Sequence, residues 1–158
     1  KSTISTFELF QMFPDAEAAR VYMEGKRWPD GAVCPACDEA KRITARKDGF
    51  YRCNACKTDF TVRTATIFER SHIPLHKWLY AMYLLVTARK GISSLQLAKQ
   101  IGVTQKSAWF MLQRLREACG NFTFRLNDGD VARHTLDRIS SLLFASTGKR
   151  LTYKALIA

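Results

Sequence analysis

The sequence predicts a small α+β fold: a three-stranded ribbon, then an all-α module, then a short helical tail. Three observations predict it. Four of the five cysteines stand as two C-x-x-C pairs; residues 32–69 hold only short β-prone pieces between turn residues; and from Pro74 onward apolar residues recur at spacings of three and four.

The ribbon comes first. CPAC (34–37) and CNAC (53–56) are separated by 15 residues, the spacing of a four-cysteine zinc site. Two residues between cysteines let a tight turn aim both sulfurs at one point, and two facing turns close a tetrahedron. The β-prone pieces Arg42–Arg46 and Phe50–Cys53, joined through Lys47-Asp48-Gly49, form the hairpin that brings the pairs together, and Asp59–Val62 supplies a third strand. None of these pieces can build an apolar core, so metal binding is expected to supply much of the folding free energy. One Zn2+ ion held by Cys34, Cys37, Cys53 and Cys56 is the expected cofactor. Two disulfides, a redox pair or a rubredoxin-like iron would use the same residues. With all four ligand positions taken by thiolates, the site reads as structural rather than catalytic. His72 and His76 have ligand-like spacing but read as ordinary residues at a helix start, and Cys119 as a small semi-buried residue.

Before the ribbon, residues 1–30 read as a helical lead-in. Phe10, Met12 and Phe13 are apolar, Pro14 breaks the chain, and Asp15 can cap a helix over Ala16–Gly25. Val21, Tyr22 and Trp28 are the side chains expected to lay that helix on its neighbour, before the turn signal Pro29-Asp30-Gly31. After the ribbon, a helix is expected over His76–Arg89 on the apolar stripe of Leu79, Met82, Tyr83 and Val86, ended by Gly91. Ser93 or Ser94 caps the next helix, Leu95–Ile101; Gly102-Val103 turns; Thr104 caps a third helix, Gln105–Ala118. The tail, 121–158, holds a turn at Asn127-Asp128-Gly129-Asp130 and a helix expected over Val131–Ser146. The expected divisions are thus 1–30, 31–70 (ribbon), 71–120 (helical module) and 121–158 (tail).

Composition limits the partners. The chain has 158 residues, 47% hydrophobic and 25% charged, and no apolar run approaching a membrane span of about 18 residues. The N-terminal stretch has no apolar signal region, and C-x-x-C pairs suit a reducing compartment, so a cytoplasmic location in the bacterial nucleoid is expected. The net charge of +11 points to a polyanionic partner. Between Glu69 and Glu117 there is no acidic residue, while Arg70, Lys77, Arg89, Lys90, Lys99, Lys106, Arg114 and Arg116 all fall there. Such a single-sign stretch suits a face that meets phosphates.

Within that stretch, SSLQLAKQIGVTQKSAWFMLQRLR (93–116) has the layout of a helix-turn-helix, with a plain αα-hairpin as the alternative. Leu97 and Ala98 face inward, Gly102 permits the turn, Val103 plugs it, and Ala108, Met111, Leu112 and Leu115 back the second helix. Thr104, Gln105, Lys106, Ser107 and Phe110 then lie outside near the N-terminus of that helix, where base edges are read. Gln105 suits adenine, and Lys106 guanine or phosphate. Arg114, Arg116, Arg89 and Lys90 suit backbone contacts. Trp109 fits either a DNA contact or helix packing.

Taken together, FPDAEAARVYMEGKRWPDGAVCPAC at the start, DFTVRTATIFERSHIPLHKWLYAMYLL (59–85) and GISSLQLAKQIGVTQKSAWFMLQRLREACG (91–120) resemble the N-terminal part of bacterial ISXO-like insertion-sequence transposases. The resemblance implies a zinc ribbon and helix-turn-helix that bind terminal inverted repeats. It also implies an RNase H-like core holding two divalent metals on acidic residues. After Gly120 the sequence instead resembles the family's C-terminal end, so the core is expected to be missing and the chain not to be an enzyme. The expected function is sequence-specific double-stranded DNA binding in transcriptional or transposition regulation. An accessory or scaffolding role, through the ribbon and tail, is the alternative, with participation in an active transposase a third. Expected partners are DNA, a second copy in a homodimer, and an intact transposase or other protein, with no membrane.

Overall fold

The computed structural model describes residues 4–88 and 91–120. The tail expected to be helical (121–158), together with Arg89 and Lys90, lies outside them.

The lead-in holds two helices rather than the one expected. Helix α1 (Thr6–Met12) opens on a capping box: the Ser5 hydroxyl accepts the Glu8 N–H at 3.2 Å, and the Glu8 carboxylate accepts the Ser5 N–H at 2.7 Å. Helix α2 (Ala16–Arg27) starts where expected, with the Asp15 carboxylate accepting the Ala18 N–H at 2.8 Å. It runs through Gly25 for two further residues, Lys26 and Arg27, whose charges suit the C-terminal end of the helix dipole.

Strands β1 (Ile43–Ala45), β2 (Tyr51–Cys53) and β3 (Asp59–Phe60) form an antiparallel sheet in that order, each shorter than its sequence signal. The β1–β2 connection is a tight turn, with Asp48 at φ 60° and Gly49 at φ 74°. The left-handed backbone favours glycine at 49, and a Cβ there would displace the Arg20 side chain, which lies 2.5 Å away. Tyr51 opposes Phe60, and Trp28 covers both rings edge-on, at centroid distances of 5.4 and 5.7 Å. Trp28 therefore lays α2 on the ribbon, as expected. Val21 does not: it is 56% exposed, on the side of α2 away from the buried Ala19 and Met23. Tyr22 packs edge-on against Phe13.

Three further helices follow: α3 (Leu75–Thr87), α4 (Ser94–Ile101) and α5 (Gln105–Gly120). Helix α3 is central, packed against α2, α4 and α5. Trp78, Leu79 and Met82 from α3 meet Leu97 from α4 and Met111, Leu112 and Leu115 from α5, all essentially fully buried. This cluster continues through Met23, Leu9 and Phe13, so one core runs from Ile4 to Leu115. Tyr83 ties down the N-terminal segment by donating to the Ile4 carbonyl at 2.7 Å, and Tyr80 donates to that of Phe13.

Candidate functional site

The two cysteine pairs fold alike. In each, the N–H of the first cysteine donates to the carbonyl five residues on: Cys34 to Glu39 and Cys53 to Thr58, both at 3.0 Å. In each, the residue after the second cysteine is left-handed, Asp38 at φ 56° and Lys57 at φ 58°. This shared turn directs one buried sulfur (Cys34, Cys53) and one surface sulfur (Cys37, Cys56) from each pair toward a common point.

The four Sγ atoms lie within 4.8 Å of one another, and two of the four cross-pair separations, Cys34–Cys56 and Cys37–Cys53, are 3.6 Å. A disulfide needs about 2.05 Å. Four thiolates at about 2.3 Å from a tetrahedral zinc stand about 3.8 Å apart. The cage has the second dimension, and the residues fit one structural zinc ion. Among the described residues, neither His72, exposed, nor His76, half-buried against Tyr80, joins the cluster.

Without a cation the sulfurs oppose one another. Burial raises the Cys34 thiol, partly offset by backbone N–H groups of Ala36 and Cys37. The Glu39 backbone favours the Cys37 thiolate, yet the Cys56, Cys53 and Cys34 sulfurs together with burial push Cys37 up to about 12. The Thr58 hydroxyl and N–H pull Cys56 down to about 6. A dication reverses this opposition by stabilising all four thiolates at once.

The segment from Thr61 to Pro74 joins ribbon to helices, and three arginines hold it. Arg27 of α2 donates to the carbonyls of Val62 (2.7 Å) and Thr64 (2.9 Å), Arg63 to that of Ser71 (2.6 Å), and Arg114 of α5 to those of Ile67 (2.6 Å) and Glu69 (2.8 Å). Burial pulls Arg27 down to about 10 and lowers Arg63 as well. This corrects the assignment of Arg114 to phosphate contact. Its side chain is buried, stacked 4.2 Å from the Phe110 ring centroid, and its Nη1 donates to both the Ile67 and Glu69 carbonyls.

The turn between α4 and α5 is equally determined. Ser93 caps α4 by accepting the Gln96 N–H at 3.2 Å. Gly102 is left-handed at φ 64°, the Val103 N–H returns to the Ala98 carbonyl at 3.1 Å, and Lys77 Nζ donates to the Gly102 carbonyl at 2.8 Å. Thr104 accepts the Ser107 N–H at 3.2 Å and donates to the Ser107 hydroxyl at 2.9 Å. Thr104, Gln105, Lys106 and Arg116 are exposed at the surface. Ser107 and Phe110 are only half-exposed, because one is engaged in the cap and the other lies under Arg114. Trp109, left open by the sequence, is 56% exposed.

Residues 14–59 match the family described as the transposase zinc-ribbon domain. An uncharacterized protein in transposable element ISH50 of Halobacterium salinarum is 34% identical over 95 residues, which cover 58% of this chain and 32% of that protein. The chain thus spans about a third of the length of this curated relative. No solved structure matches. The resemblance to transposases is therefore supported at the level of a transposase-related chain with a zinc ribbon. Among the described residues, no helix is long and apolar enough to cross a membrane.

Proposed function

We propose that this is a transposase-derived protein that binds double-stranded DNA sequence-specifically, with α4 and α5 as a helix-turn-helix and the zinc ribbon as a second docking element. The observation that carries the reading is the outer face of α5. Thr104, Gln105 and Lys106 stand exposed at its N-terminal end, and no carboxylate occurs in the sequence between Glu69 and Glu117. A helix N-terminus with exposed polar side chains, Gln105 and Lys106 beyond the Thr104 cap, and a positive surround suits the major groove. Gln105 has the donor and acceptor pair for adenine, and Lys106 a charge for guanine or phosphate. The arginine-held segment at 61–74 fixes the ribbon relative to α5, so the two elements meet DNA in one geometry.

We further take the source to be an ISXO-like transposase and the role to be regulatory, with the binding residues 4–120 acting at inverted repeats or promoter-like sites without strand chemistry. The four-thiolate centre offers no open ligand position, so the ribbon itself is read as structural. Selection from a random duplex pool followed by footprinting tests the reading. A specific footprint should appear, weaken steeply with salt, and be lost in Gln105→Ala/Lys106→Ala. Sequence-independent binding only, with a protein partner still captured by the double variant, would instead favour the accessory role.

A further inference from the structure

Of the three tryptophans, Trp78 is fully buried and Trp28 is 9% exposed, but Trp109 is 56% exposed. Among the described residues, no hydrogen bond or ring contact holds its indole. The packing of α5 explains its direction. Ala108, Met111, Leu112 and Leu115 face the core, so the opposite stripe is Lys106, Trp109, Gln113 and Arg116, all exposed. From Lys106 to Gln113 this stripe is about 10 Å long, against a major groove about 12 Å wide. Glu117, the next exposed residue on this side, sets its C-terminal limit, because a carboxylate there repels phosphates.

We infer that Trp109 is a specificity-determining residue on the DNA-reading face, its indole packing on thymine C5-methyl groups. This rests on the DNA-binding reading above and places the centre of base recognition one turn deeper along α5. Charge selects the occupant. An exposed aromatic flanked by Lys106 and Arg116, in a stretch without acids, complements a polyanion carrying apolar methyls better than it does another basic copy of this chain. Position explains the residue type: an indole reaches beyond its helix, and thymine methyls are the apolar features of the major groove.

The test uses the zinc-loaded full chain and the duplex it selects from a random pool, with each thymine replaced in turn by uracil. One or two replacements should weaken wild-type binding about fourfold each, the worth of a buried methyl. Trp109→Ala should bind the selected duplex about tenfold more weakly and be indifferent to those same replacements. Trp109→Phe should keep part of the thymine preference. Because Trp109 is exposed, the alanine variant should retain the zinc content and melting temperature of the parent. DNA should also shield wild-type fluorescence from acrylamide, since Trp109 is the accessible indole. The inference is overturned, with the DNA-binding reading intact, if Trp109→Ala keeps the affinity and thymine profile while Gln105→Ala/Lys106→Ala loses them. It is overturned too if Trp109→Ala converts a dimer to a monomer with unchanged DNA affinity. If no sequence is enriched and DNA gives no shielding, the inference and the DNA-binding reading both fall.

Discussion

The ribbon and the helical module are built on opposite principles. In the helical module, α3, α4 and α5 bury Trp78, Leu79, Met82, Leu97, Met111, Leu112 and Leu115 against one another, and the hydrophobic effect alone can hold it. The ribbon's strands are two or three residues long, and one of its few buried aromatic contacts, Trp28, comes from α2. What it lacks in apolar area it replaces with four thiolates. The lesson is one of tolerance: the helical module depends on volume and pattern and the ribbon on the identity of four atoms, while three arginines donating to main-chain carbonyls connect the two.

The largest expected effect breaks the ribbon alone. Structural zinc contributes about 10–16 kcal/mol of apparent free energy in small zinc-binding peptides. Chelation, or Cys53→Ser, should therefore abolish ribbon structure while the far-UV helical signal of α3–α5 largely persists. Circular dichroism together with zinc analysis checks this, and simultaneous loss of both signals would show that the contrast is false. Acid should act the same way. Metal binding must remove the proton from Cys37, whose thiol is pushed up to about 12 in the absence of a cation. At any pH below that value zinc displaces a proton, so affinity rises with pH and falls as pH is lowered. A colorimetric chelator should register faster zinc release at lower pH, before the helices melt.

A smaller effect breaks the other side. Met111→Ala, at a fully buried position, should cost about 2–5 kcal/mol and lower the melting temperature of the helices with zinc content unchanged. Arg114→Ala sharpens the connection between the two. Leaving the Ile67 and Glu69 carbonyls unpaired should cost about 1–3 kcal/mol. Because that segment carries the ribbon, zinc retention and helix melting should shift together. A shift in helix melting alone would make Arg114 an ordinary packing residue of α5.

The features written locally in the chain were legible from it. Cysteine spacing determined the metal cage, since a C-x-x-C turn leaves few ways to aim two sulfurs. Asp15, Ser93, Gly102 and Thr104 marked helix ends because each acts on backbone groups within a few residues. Helix α1 is equally local, with Ser5-x-x-Glu8 as its capping signature, but at seven residues it is too short to show a helical apolar stripe. The fates of Arg114, Val21 and Trp109 depended on distant neighbours. Arg114 reads from sequence as a phosphate-binding cation, and only the approach of residues 67–69, more than forty positions earlier, turns it inward. Trp109 reads from sequence more readily as helix packing than as a surface contact, and the packing of α5 on α3 and α4 leaves it exposed. Sequence alone determined what each segment could form and which four sulfurs could share a ligand; the tertiary structure decided that their spacing suits a metal rather than disulfides, and which charges and rings stand exposed to another molecule, because exposure belongs to the assembled packing rather than to any one residue.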